Sequence, residues 1–102
     1  MENDPRFPIG KFDRNTASDA GLRADSIRTI AELPLLLTAA VEGLDETRLE
    51  TPYRDGGWTL RQTVHHVADS HTNALIRFKL ALTEDSPTIR PYLEARWAEL
   101  AD

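Results

Sequence analysis

An all-α fold is predicted by three features of the chain. Two long segments carry apolar residues three or four positions apart, a capping residue stands ahead of each, and turn-forming Pro and Gly cluster in the connections. In the first segment, Ile27, Ile30, Leu33, Leu37, Ala40, Val41 and Leu44 form a helical stripe, so a helix is expected over about 25–44. Asp25 or Ser26 would cap it, Pro34 should kink or split it, and Gly43 lies near its end. In the second, Thr59 is placed to cap a helix over about 59–82.

The remaining segments follow from these two. Residues 1–20 hold Pro5, Pro8 and Gly10 and read as an extended arm whose Phe7, Ile9 and Phe12 are set to lie against the helices. Asp45 to Gly57 is a connection, with an extended step at Thr51-Pro52 and turn chemistry at Asp55-Gly56-Gly57. Pro87 and Pro91 interrupt the chain after the second helix, and a short amphipathic helix over about 93–100 carries Trp97. Two long helices and a short one bury a single seam, and their outer apolar positions need another layer. The 102 residues are therefore expected to form one partial bundle domain, a fragment or an obligate oligomer.

Composition narrows the function. Seventeen Asp and Glu against twelve Lys and Arg give a net charge of −5, which argues against a nucleic-acid footprint. There is no cysteine, so a transition-metal site must draw on His, Asp or Glu. The longest apolar run, Leu35-Leu36-Leu37, is far short of a membrane span, and the N-terminus MENDPRFPIGKF lacks the apolar core of a signal peptide. A cytoplasmic protein with no membrane partner is the expectation.

All three histidines, His65, His66 and His71, fall on the second helix. None are three or four apart, and His66 and His71 point about 140° away from each other, so this helix cannot chelate a metal with its own imidazoles. Gln62, His66, Asp69, Asn73 and Arg77 form a polar stripe, opposite an apolar stripe of Leu60, Val64, Val67, Leu75, Phe78 and Leu82 that includes His71. Periodicity leaves two readings open for the polar stripe. It is a solvated face, or it lines a polar cavity in which His66 binds metal with Asp69 or Asn73 behind it. His71 reads as a hydrogen-bonded core residue, and His65 as an exposed or interface residue. Trp58 reads as packing at the helix start, and Arg54 and Asp55 as a surface turn ion pair, with substrate or loop-fixing contacts as the alternative.

Several stretches resemble a known family. Pro8-Ile9-Gly10-Lys11-Phe12, the run TPYRDGGWTLRQTVHHVADSH from Thr51 to His71, and IRFKLALTED followed by IRPY up to Tyr92 are similar to YfiT-like proteins of the DinB-like superfamily. The resemblance implies a four-helix bundle, of which this chain holds the N-terminal helices, and a divalent metal, nickel or zinc, bound by three histidines. In that family a Trp followed by Ser or Thr opens the second helix and the first ligand comes eight residues later, which Trp58-Thr59 and His66 match. The other two ligands stand in an H-x-x-x-H on the last long helix, and Asp102 comes before any such helix. The resemblance thus implies one metal ligand here, His66, in a metal-dependent hydrolase or a bacillithiol-type thiol S-transferase acting on a small molecule. The competing expectation is a truncated, non-catalytic helical module that forms a homodimer through the exposed face of its hairpin.

Overall fold

Asp19, rather than Asp25 or Ser26, opens the first helix. Its carboxylate accepts the Leu22 amide at 2.7 Å, satisfying a donor that the first turn leaves without a partner. With the cap placed there, nothing downstream stops the helix from including Asp25, whose carboxylate instead pairs with Arg28 at 3.1 Å. In the computed structural model, which describes residues 4–102, α1 runs Ala20–Val41. It passes through Pro34 as one helix, so the expected split does not occur. Thr38 closes over that turn by donating its hydroxyl to the Pro34 carbonyl at 2.7 Å. Beyond the end, Gly43 takes the left-handed conformation at φ 76°, and the Leu44 amide reaches the Val41 carbonyl at 3.2 Å.

The chain divides into two compact units, Met1–Leu49 and Glu50–Asp102. In the first unit the arm departs from expectation. Ile9 is 98% and Phe12 84% exposed, so these side chains do not cover a helix; the part of the arm at residues 1–3 lies outside the described residues. A single helical turn, α2 (Glu46–Leu49), stands within the expected connection. Asp45 starts it by accepting the Arg48 amide at 2.9 Å. Four residues are too few to show a period, so the sequence pattern had no means of marking it.

The second unit begins with a closed loop. Pro52 and Thr59 form an antiparallel bridge, Tyr53 donates to the Trp58 carbonyl at 3.0 Å, and Leu60 donates to the Thr51 carbonyl at 3.1 Å. The tip turns at Arg54-Asp55-Gly56-Gly57, with the Gly57 amide bonded to the Arg54 carbonyl at 2.9 Å. Gly56 supplies φ 71°, which the third position of this turn requires. Gly57 has no room for a side chain, because a Cβ there would stand 2.6 Å from Arg54 Cγ.

Thr59 then starts α3, Leu60–Thr83, through a reciprocal cap. Its hydroxyl accepts the Gln62 amide at 3.1 Å, and Gln62 Oε1 accepts the Thr59 amide at 3.0 Å. Arg61 ties the same turn to Glu50 at 2.6 Å. After α3 the chain passes Ser86, a non-glycine residue at φ 47°, and reaches the short α4, Glu94–Trp97, with turns continuing to Leu100. This returning segment runs antiparallel to α3. Arg90 lies at Arg77, which donates to its carbonyl at 3.3 Å, and Ala98 lies at Gln62, which donates to its carbonyl at 3.1 Å. Ala98 is the buried hydrophobic residue of the described chain, 7% exposed, and the Tyr92 and Trp97 rings meet at 4.7 Å beside it in sequence.

Two substitutions test these local devices. Thr59→Ala removes one half of the reciprocal cap and should cost about 1 kcal/mol, read as faster amide exchange at Gln62 and Thr63. Gly56→Ala forces a Cβ into the left-handed region and should also cost about 1 kcal/mol, read as a lower denaturation midpoint.

Candidate functional site

The polar stripe of α3 is not a solvated face. Gln62, His66, Asp69, Asn73 and Arg77 are all half-buried; of the apolar stripe, Leu60, Val64 and Val67 are half-buried too, while Leu75, Phe78 and Leu82 are exposed. The reason lies in what covers the helix. The segment after Pro87 is largely irregular, so its backbone carbonyls need donors, and a polar helix face supplies them where an apolar one would leave them unpaired. Gln62 and Arg77 do this at the two ends of the stripe. Between them, the Asn73 amide donates to the Asp69 carbonyl at 2.8 Å.

His66 sits in the second turn of this face. Its imidazole meets the Trp58 indole at a centroid distance of 4.8 Å with the rings tilted by 53°. Trp58 is itself fixed by the loop bond from Tyr53 to its carbonyl. Among the described residues the His66 nitrogens have no hydrogen-bond partner, and no buried side-chain polar atom is left unsatisfied, so those nitrogens reach solvent. The ring is therefore held by its face, with its donor atoms open. Neither Asp69 nor Asn73 hydrogen-bonds the ring among the described residues; the Asn73 amide donates to the Asp69 backbone carbonyl.

The other histidines separate cleanly. His71 is exposed, not a core residue, and Leu75 one turn further along the apolar stripe is exposed with it. His65 is half-buried and its Nδ1 lies 3.9 Å from the Asp102 carboxylate. Arg54 and Asp55 do not form a side-chain ion pair among the described residues. The Arg54 guanidinium donates instead to the Tyr53 hydroxyl at 3.0 Å and the Asp55 carbonyl at 3.2 Å, which makes it a loop-fixing residue. Tyr53, Arg54, Gly56, Gly57 and Trp58 line a shallow cleft of about 300 Å³ at the start of α3.

The donor set for a metal is incomplete. Among the described residues no group of three or more His, Asp, Glu or Cys stands close enough to hold an ion. The three imidazoles, His65, His66 and His71, do not converge on one point among the described residues, whereas a catalytic site of this kind uses about three protein ligands. The residues present do not by themselves make a metal centre. Two features of the site had readable signals that the periodicity did not exploit. Thr59-x-x-Gln62 is a capping-box pattern, which marks Gln62 as structural. The spacing from Trp58 to His66 is also that of ring contact across the helix start.

Comparison with known proteins agrees with this architecture. Residues 29–102 match the model of the DinB superfamily. A protein of Bacillus cereus (strain 03BB102) and one of Bacillus anthracis (strain A0248), each named "Putative metal-dependent hydrolase", are 55% identical over 100 residues, which is 98% of this chain. The solved structure of YfiT from Bacillus subtilis, described as a probable metal-dependent hydrolase with an unusual four-helix bundle topology, matches with a TM-score of 0.89 at 49% identity over 96% of the chain. The chain spans 58% of the length of those relatives and 56% of that structure. No helix of the described residues is long and apolar enough to cross a membrane. All-α, similar over nearly its whole length to these proteins and matched by the family model over most of it, the chain belongs to the DinB superfamily.

Proposed function

We propose that this chain is the His66-bearing part of a divalent-metal-dependent hydrolase. The observation that carries the proposal is the state of His66: half-buried, braced by Trp58, and with both ring nitrogens open. The names of the relatives support the class of activity. Imidazole donors suit zinc or nickel, and either ion would supply Lewis-acid polarisation of the substrate's reacting group once a full ligand set is assembled. This chain's own share is to present one ligand on a rigid helix and to hold its ring plane through Trp58. Transfer to a low-molecular-weight thiol would use the same face, and separate assays distinguish it from hydrolysis.

The test has two levels. Adding paramagnetic Ni²⁺ to the 102-residue chain should broaden the Trp58 indole resonance first. His66→Ala should abolish that effect, and His65→Ala and His71→Ala should leave it. Broadening that persists in His66→Ala removes His66 from the site. In a protein that carries this segment over the full length of its relatives, His66→Ala should lose bound metal and lower hydrolysis by more than about 100-fold, beyond the loss seen for residues that merely orient a ligand.

A further inference from the structure

Seven residues beyond His66 on the same face of α3, Asn73 begins a second cleft that the metal proposal does not use. It is a half-open cleft of about 440 Å³ between the C-terminal half of α3 and the returning segment, a volume in the range of small-molecule sites. Arg77 and Arg90 line it, together with Asn73, Thr88 and an apolar wall that includes Tyr92 and Trp97. Arg77 spends one guanidinium nitrogen on the Arg90 carbonyl at 3.3 Å and keeps its other donors. Among the described residues no carboxylate pairs with either arginine, and the Arg90 guanidinium makes no hydrogen bond or ion pair. That is unexpected in a chain where Asp and Glu outnumber Lys and Arg seventeen to twelve. Two cations without counter-charges, facing one aromatic-walled cleft, match a ligand with an oxyanion at one end and an apolar body.

We infer that this cleft is a binding site for a small molecule bearing a carboxylate or phosphate, with Arg77 and Arg90 gripping the oxyanion and Tyr92 and Trp97 holding the apolar part. Guanidinium groups suit both anions because their fork of donors fits two oxygens at once. Arg77 lies eleven residues from His66, roughly 16 Å along the helix axis. The inference rests on the proposed hydrolase function only in treating the bound molecule as that enzyme's substrate. Binding itself is independent of any metal.

Titrating the 102-residue chain with phenylacetate, phenyl phosphate and neutral phenylacetamide, while following the Trp97 indole resonance, tests the site. At least one of the two anions should give a saturable shift with an affinity ten-fold or more above that of phenylacetamide. Which anion binds tighter identifies the headgroup. Arg90→Gln, an exposed position, should weaken anion binding at least ten-fold without changing the helical circular dichroism; Arg77→Gln, which also loses the tie to the Arg90 carbonyl, should weaken it at least as much. His66→Ala should leave anion binding unchanged while abolishing the Ni²⁺ effect, so that failure of one proposal is separable from failure of the other. Equal affinities for the three compounds, no saturable shift with any of them, or anion binding that survives in Arg90→Gln and Arg77→Gln would overturn the assignment.

Discussion

The second unit depends on one kind of interaction: side-chain donors of α3 satisfying backbone carbonyls of the segment that returns along it. Gln62 reaches Ala98 and Arg77 reaches Arg90. A helix usually covers its apolar stripe and leaves its polar stripe to water. Here an irregular segment comes back over the helix, and its unpaired carbonyls make the polar stripe the favourable surface to lie on. The cleft beside Arg77 follows from that choice of face.

Gln62 concentrates this dependence. Its Oε1 closes the cap of α3 on the Thr59 amide, and its Nε2 holds the returning segment at Ala98. One side-chain amide uses both ends of its dipole, so the start of the helix and the covering of its face are coupled. The Thr51–Leu60 loop adds a third tie from the other side, and it is this loop that sets Trp58 against the imidazole. The position of His66 is thus a product of local hydrogen bonding, with little apolar burial behind it.

Much of the fold was legible because long helices announce themselves by period and cap. Thr59 is the clearest case, where a hydroxyl residue stands just ahead of a regular pattern. The first helix began earlier than its apolar stripe, since Asp19 caps a turn that holds few large apolar residues and so carries no period. Pro34 does not divide the first helix, because a single lost hydrogen bond leaves the rest of a 22-residue ladder intact. Of the site, His66 could be singled out only through family spacing. Periodicity gives the angle of a side chain around the helix, but not which side of the helix another segment will occupy. For the same reason His71 was assigned to a core that the described chain does not build around it.

Ala98 has a thermodynamic consequence. Where a folded chain hides little apolar surface, unfolding exposes little more of it, and the heat-capacity increment that apolar hydration produces is correspondingly small. The stability of the 102-residue chain should therefore vary weakly with temperature, as a flat curve without a pronounced maximum. Its hydrogen bonds would loosen by degrees on warming, giving a broad transition in place of the sharp melting of a well-filled interior.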